Sequence, residues 1–200
     1  MKIETSQKSI KSALRNDLRA RRRQLDEAER QVMDASINHF LTSFIAKHRP
    51  ATIAAFWPFD GEAGLLPALE LASRQGTQIV LPVISNRPTG KTLLFRQWSP
   101  DTVMKTNSFG IPEPEDTPEA LLVNIDLILI PLVAWDETGG RLGMGAGFYD
   151  RVLQPFSQSD TPIRTGVAYQ LQKVATVPNE PWDIRLHRVL SETGWFTCRN

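Results

Sequence analysis

The sequence predicts an α/β layered fold with a largely parallel sheet, and three observations carry that expectation. Short apolar runs of strand type alternate with segments of helical period. The run IDLILIPLVAW (125–135) is apolar almost throughout, the pattern of a central strand buried on both faces. It leads into GGRLGMGAGFYDR (139–151), with five glycines in nine residues. In open α/β sheets, ligands bind beyond the carboxyl ends of such strands.

Each element can be justified in order. Ile10, Leu14 and Leu18 recur every four residues and lay an apolar stripe along a first helix. Lys8, Lys11, Arg15, Arg19 and Arg22 form a basic stripe beside it. Asp26 followed by Glu29 predicts a capping box for a second helix that buries Met33, Ile37, Phe40, Leu41, Phe44 and Ile45. After Pro50 the period changes: ATIAAFWPF reads as a strand, DGEAG as a loop, and Leu65, Leu69 and Ala72 as one helix face. TQIVLPVI and TLLFRQW are two further strands. The proline-rich DTVMKTNSFGIPEPEDTPE is expected to be ordered loop with a helical turn. A helix over 149–156 follows the glycine stretch, and PIRTGVAY and HRVLSE supply the last strands. No repeat, low-complexity tract or linker divides the chain, so a single domain over 1–200 is expected.

Composition narrows the function classes. A formal net charge of +1 supplies no global field toward nucleic acid or an anionic membrane, so anion recognition must come from local clusters. The one cysteine, Cys198, builds neither an intrachain disulfide nor a thiolate metal site, which fits a reducing compartment. As a nucleophile it would need a pocket that a chain end does not supply. The first 25 residues lack an apolar core of signal-peptide length; their arginines and few acids resemble a transit peptide only faintly and read better as part of the fold. No run has the apolar length of a membrane helix, and a cytoplasmic protein without a membrane partner is expected.

The glycine loop is the first candidate site. A glycine-rich turn feeding a helix exposes several backbone N–H groups together, a cradle for phosphate; a structural turn needing positive φ accounts for the same glycines. The loop lacks the lysine and hydroxyl of a P-loop, and GMGAG stands late in the chain instead of after the first strand, which argues against nicotinamide and flavin cofactors. Asp150 at the loop's end would repel a bare phosphate unless a divalent cation sat between them. As an N-terminal acid it also complements a helix dipole, and both readings stand.

Lys11 and Arg15, one helical turn apart, are spaced to reach one polyphosphate. A solvated basic face explains them as well, and the cluster from Arg19 to Arg23 keeps nucleic-acid binding open, although no RNA- or DNA-binding motif accompanies it. In FWPFDGEAG, Trp57 and Glu62 offer an aromatic platform and a carboxylate, suited to a flat heterocycle with N–H donors; a core tryptophan and a helix-start acid is the plainer account. Asp183 lies in VPNEPWDIRLH, a proline-flanked loop between strands, with Glu192 beyond it. His39, His48 and His187 have no zinc spacing, and neither G-x-S-x-G nor a Ser-His-Asp order is present.

Taken together, DLILIPLVAWDETGGRLGMGAGFYDR, KSALR near the start, FWPFDGE, FGIPEP and VPNEPWDIRLHRVLSE resemble the 5-formyltetrahydrofolate cyclo-ligase family in order and spacing, from about Lys11 to Glu192. The resemblance implies a Rossmann-like three-layer α/β/α sandwich and an ATP- and Mg²⁺-dependent enzyme. That enzyme would convert 5-formyltetrahydrofolate, in mono- or polyglutamylated form, to 5,10-methenyltetrahydrofolate, releasing ADP and phosphate. It further implies that Lys11 and Arg15 contact ATP, together with Arg141, Leu142, Gly143, Met144, Gly145, Ala146, Gly147, Phe148 and Tyr149. Trp57, Glu62, Phe109, Gly145 and Tyr149 would face the folate, and Asp150 and Asp183 would serve Mg²⁺. Two departures stand out. Met144 and Ala146 occupy positions where some relatives carry basic residues, so phosphate binding would lean on backbone amides, Arg141 and the first helix. Phe148 stands where a tyrosine is frequent. A non-catalytic nucleotide- or RNA-binding protein on the same fold is the alternative, and would be expected to lose some of these acids. A phosphosugar isomerase or acyl-CoA transferase would want a catalytic glutamate at a strand end, which Glu62 alone does not exclude.

Overall fold

The computed structural model describes residues 2–87 and 90–199; residues 1, 88, 89 and 200, which the single-domain expectation spans, lie outside it. Two long helices, α1 (Lys2–Arg23) and α2 (Glu27–His48), come first. They are followed by β1 (Thr52–Ala54), α3 (Leu66–Arg74), β2 (Gln78–Arg87) and β3 (Gly90–Trp98). Next come β4 (Met104–Thr106), β5 (Pro112–Pro114), β6 (Glu119–Ala120), β7 (Leu127–Pro131), β8 (Ala134–Trp135) and β9 (Arg141–Leu142). The chain closes with α4 (Phe148–Leu153), β10 (Ile163–Val167), β11 (Arg188–Ser191) and β12 (Gly194–Thr197).

The main sheet has the order β12-β11-β10-β7-β1-β2-β3-β6. Its middle, from β11 to β2, is parallel, while β12 on one edge and β3 and β6 on the other run antiparallel. The apolar run at 125–135 does contain the central strand: β7 sits between β10 and β1, with Leu127 to Ile130 all buried. Pleating sends alternate residues to opposite faces. Leu127, Leu129, Ile53 and Ile79 pack with Ile37, Leu41 and Ile45 of α2 and with Leu69 and Ala72 of α3. Ile128, Ile130, Ala54 and Val80 pack on the other side with Leu153 of α4, Phe95 and Trp135. The expected α/β sandwich is therefore observed, with one face layered by long helices and the other by a short helix and loops.

Local chemistry explains most element ends. Asp26 caps α2 by accepting a hydrogen bond from the Glu29 N–H at 2.9 Å, one half of the expected capping box. Leu18 of α1 is buried and Leu14 packs beside it, whereas Ile10, expected on the same stripe, is 51% exposed. At that height α1 turns Lys11 and Arg15 toward a cavity instead of meeting the core. The helix expected over 149–156 is α4 followed by a 3₁₀ turn, Gln154–Phe156. The segment expected to be loop is a hairpin, β4 with β5, and the helical turn comes after it, at Leu122–Asn124. Prolines disguised the second strand. The ladder bonds run through Val103–Glu115 and Asn107–Ile111, so Pro112 and Pro114 fall at positions whose nitrogens point away from the partner. The short strands β6 and β12 complete the sheet edges and were not anticipated.

Three arginines at the end of α1 converge on one carboxylate. Arg19 Nε (2.8 Å), Arg22 Nη2 (3.3 Å) and Arg23 all bond to the carboxylate of Asp60, in the loop after β1. Arg22 is 1% exposed and also donates to the Leu132 carbonyl at 3.1 Å. Burial works against the ionised Asp60, but the hydrogen bonds from Arg19 and Arg23 hold its carboxyl below the usual carboxylate range. Removing one partner of a buried pair leaves an uncompensated charge. We expect Asp60→Ala to lower unfolding stability by about 3 kcal/mol in urea titrations. A loss below about 1 kcal/mol would mean that the clamp contributes little. Because the folded pKa is depressed, this contribution is present above the unfolded value and is lost as pH falls through the folded one.

Candidate functional site

The site begins at the carboxyl end of β7. There the chain forms the β8–β9 hairpin, whose turn is organised by Asp136. Its Oδ1 accepts from the Thr138 N–H (2.9 Å), the Thr138 hydroxyl (2.8 Å) and the Gly140 N–H (3.0 Å), and its Oδ2 accepts from the Val177 N–H (2.8 Å). A Cβ at Gly140 would lie 2.6 Å from that Oδ2. Gly139 and Gly140 are thus structural glycines. Gly143, Gly145 and Gly147 are different: they line a cavity of about 650 Å³. Gly145 and Gly147 have φ of +104° and +65°, and Gly147 starts α4.

Every site residue that the family resemblance implied lines this one cavity: Lys11, Arg15, Trp57, Glu62, Phe109, the run from Arg141 to Asp150, and Asp183. They arrive from five places: α1, the loop after β1, the tip of the β4–β5 hairpin, the glycine loop with α4, and the loop leading to β11. Phe56, Pro82, Ile84, Leu93 and Ile130 add an apolar lining.

Several of these groups are already paired. Arg15 Nε donates to the Gly143 carbonyl at 2.8 Å and fixes the loop against α1. Lys11 Nζ lies 3.3 Å from both Glu180 Oε1 and Asp183 Oδ2. Arg141, 8% exposed, bonds through Nη2 to Asp150 Oδ1 at 2.6 Å and through Nη1 to the Ile184 carbonyl. Asp150 Oδ1 also accepts from the Ile184 N–H at 3.0 Å. Among the described residues, Asp150 Oδ2 and Asp183 Oδ1 accept no hydrogen bond. Asp150 therefore serves as more than a helix-start acid.

Glu62 carries the unusual titration of the site. Burial pushes its carboxyl up to about 7, against the opposing charge of Arg22 and a hydrogen bond from the Phe59 N–H (3.1 Å). Burial, then the charge of Glu62, raises the Tyr149 phenol well above its ordinary value, so it stays a donor. Its hydroxyl makes no hydrogen bond among the described residues. Cys198, in contrast, is buried away from the cavity with its thiol pushed up to about 11, first by burial and then by Asp136, which does not suit a nucleophile.

The sequence reading missed Asn107, Glu113, Arg151, Glu180 and Trp182, all on the cavity wall. Glu113 accepts from the Ile84 N–H (2.9 Å) and from Asn107 Nδ2 (2.7 Å), which locks the hairpin onto β2. The proline-flanked NEPWD offered a hint for Glu180 and Trp182; the others carry no local signal.

A cavity beyond the carboxyl ends of β1 and β7, edged by a glycine loop and α1 cations and floored by apolar and aromatic groups, defines an α/β protein with a ligand-sized site at the ends of its central strands. The family model described as the 5-formyltetrahydrofolate cyclo-ligase family matches residues 7–192. A 5-formyltetrahydrofolate cyclo-ligase of Haemophilus influenzae is 37% identical over 179 residues, covering 88% of this chain and 95% of its own. The protein of that name in Escherichia coli is 37% identical over 177 residues, covering 87% and 96%. The structure of Aquifex aeolicus 5,10-methenyltetrahydrofolate synthetase superposes with a TM-score of 0.80 at 29% identity, covering 96% of this chain and 94% of that one. The chain belongs to the 5-formyltetrahydrofolate cyclo-ligase family.

The two classes of glycine can be separated experimentally. Gly143 has no neighbour within 4 Å of an added Cβ and no positive φ, so Gly143→Ala should change stability by no more than about 0.5 kcal/mol. Gly145→Ala should lose about 1–3 kcal/mol, because an L side chain is strained at φ +104°. Equal stability of the two variants in denaturant titrations would show that the loop is not held in this conformation.

Proposed function

We propose that the chain catalyses the ATP-dependent cyclisation of 5-formyltetrahydrofolate to 5,10-methenyltetrahydrofolate, with release of ADP and phosphate. The supporting observation is the convergence on one cavity of Lys11, Arg15, Trp57, Glu62, Phe109, the run from Arg141 to Asp150, and Asp183. The formyl oxygen of the N5 formamide attacks the γ-phosphate, ADP leaves, and an N5-iminium phosphate forms. N10 then attacks the activated carbon and closes the ring, the C–O bond to phosphate breaks, and the N10 proton leaves with the departing phosphate. No covalent nucleophile from the protein is needed; the work is positioning and charge neutralisation.

Within that reading, Lys11, Arg15 and the N–H groups from Gly143 to Gly147 take the ATP phosphates, and Arg141 holds the loop while bordering them. Trp57, Glu62, Phe109 and Tyr149 face the folate, with the carboxylate of Glu62 accepting from the N–H edge of the pterin. The residues also fit Mg²⁺. Asp150 and Asp183 line the same cavity, each with one oxygen not engaged by the described residues. No group of three or more His, Cys, Asp or Glu among the described residues holds a metal by itself, as suits an ion that is completed by substrate phosphates. When bound, it would neutralise charge on the transferring phosphoryl group. The chain would act as one domain in the cytoplasm, without a nucleic-acid or membrane partner. In support, Arg19, Arg22 and Arg23 are engaged by Asp60, and no described helix is long and apolar enough to cross a membrane.

The direct test mixes purified protein with 5-formyltetrahydrofolate, ATP and Mg²⁺ and follows the absorbance of the methenyl product. Folded protein that forms none overturns the proposal. Glu62 supplies a sharper prediction. As pH rises through about 7 in the free protein, its carboxyl ionises, loses its O–H donor and becomes a charged, acceptor-only group, so kcat/KM for the folate should rise across that range. Glu62→Gln should lower kcat/KM about 10- to 100-fold and abolish that pH step. A step that persists in the variant would assign it to another group.

A further inference from the structure

Two exposed cations, Arg151 on the cavity wall and Lys91 beside Phe109 of that wall, have no carboxylate partner among the described residues. Lys91, on β3, holds its Nζ 5.3 Å from the centroid of the Phe109 ring. Arg151, on α4, holds its guanidinium 5.2 Å from the centroid of the Phe148 ring. Arg151 Nη1 donates to the Ala146 carbonyl (2.8 Å) and Nη2 to the Lys91 carbonyl (3.3 Å), so the two residues share one corner. Lys11 and Arg141, by contrast, are each held by acids of the site.

This corner is set apart from the Lys11 end. Lys91 lies on β3, whereas Lys11 is held by the loop that runs into β11, and four strands stand between β3 and β11 in the sheet. The glycine loop connects the two ends: Arg15 bonds to it at Gly143, and Arg151 at Ala146.

We infer that Lys91 and Arg151 form a carboxylate-receiving rim for the glutamate tail of the folate, with Phe109 and Phe148 flanking the benzoyl ring that precedes it. The inference rests on the folate reading above. A folate is flat and N–H-bearing at one end and dianionic at the other. Glu62 and Tyr149 suit the first end, and an unneutralised pair of cations on aromatic faces suits the second. Both cations are exposed, so their removal weakens binding a few-fold without abolishing it. The remaining anion in the reaction is the nucleotide triphosphate, and the test separates the two.

The experiment compares wild type with Lys91→Glu on 5-formyltetrahydrofolate and on 5-formyltetrahydropteroate, the same molecule without its glutamate, at low ionic strength. Lys91→Glu should lower kcat/KM for the folate about fivefold and for the pteroate by less than about twofold, and the difference should shrink in high salt. An equal effect on both substrates, no effect on the folate, or a rise in KM for ATP instead would overturn the inference. Thermal unfolding verifies that the variant is folded; if it is not, Lys91→Gln enters the same comparison. A wild type inactive on both substrates overturns the folate reading, and the rim with it. Wild-type turnover with no Lys91-dependent difference overturns the rim alone.

Discussion

One half-buried ion pair, Arg141 with Asp150, keeps the walls of the site in register. Arg141 belongs to β9 and Asp150 to α4, and both also bond to the backbone of Ile184 in the loop that leads to β11. Three segments far apart in the chain are thereby joined at one point, and the glycine loop is strung between two of them. A pair of this kind contributes little net stability against a well-packed apolar substitute. Its value is geometric. Because Arg141 is satisfied on two sides, Asp150 is oriented through one oxygen and keeps the other for whatever enters the cavity.

The same economy of roles divides the five glycines. Gly139 and Gly140 serve the turn around Asp136, where a side chain at 140 would collide with the carboxylate. Gly145 and Gly147 are needed for their positive φ. Gly143 has neither reason, since its φ is ordinary and the space beside it is open. The structural-turn account of the loop thus holds for four of the five glycines and not for Gly143.

What was legible in the sequence was whatever depends on neighbours in the chain. The period of two or four exposed most strands and helices, and the apolar run at 125–135 marked the central strand. The site residues of the family resemblance came from motif order, and the cavity gathers all of them. What was hidden depends on pairing across the chain. Pro112 and Pro114 read as loop until the register puts their nitrogens outside the ladder. The cluster from Arg19 to Arg23 read as a basic face because Asp60, its partner, lies some forty residues on. Arg151 was silent for the same reason: its partners are the carbonyls of Ala146 and, sixty residues away, Lys91.

Charge accounting in the cavity bears on how a nucleotide would enter. Lys11, Arg15, Arg141 and Arg151 face Glu62, Glu113, Asp150, Glu180 and Asp183, so the empty site holds no surplus of positive charge. A bare triphosphate would gain from Lys11 only by displacing Glu180 and Asp183, and would then leave two acids unpaired beside its own charge. Under the proposed reading, a nucleotide that carries a divalent cation would avoid that conflict: Lys11 would turn to phosphate, and Glu180 and Asp183 would hold the cation, which would favour the metal complex of the nucleotide over the free anion.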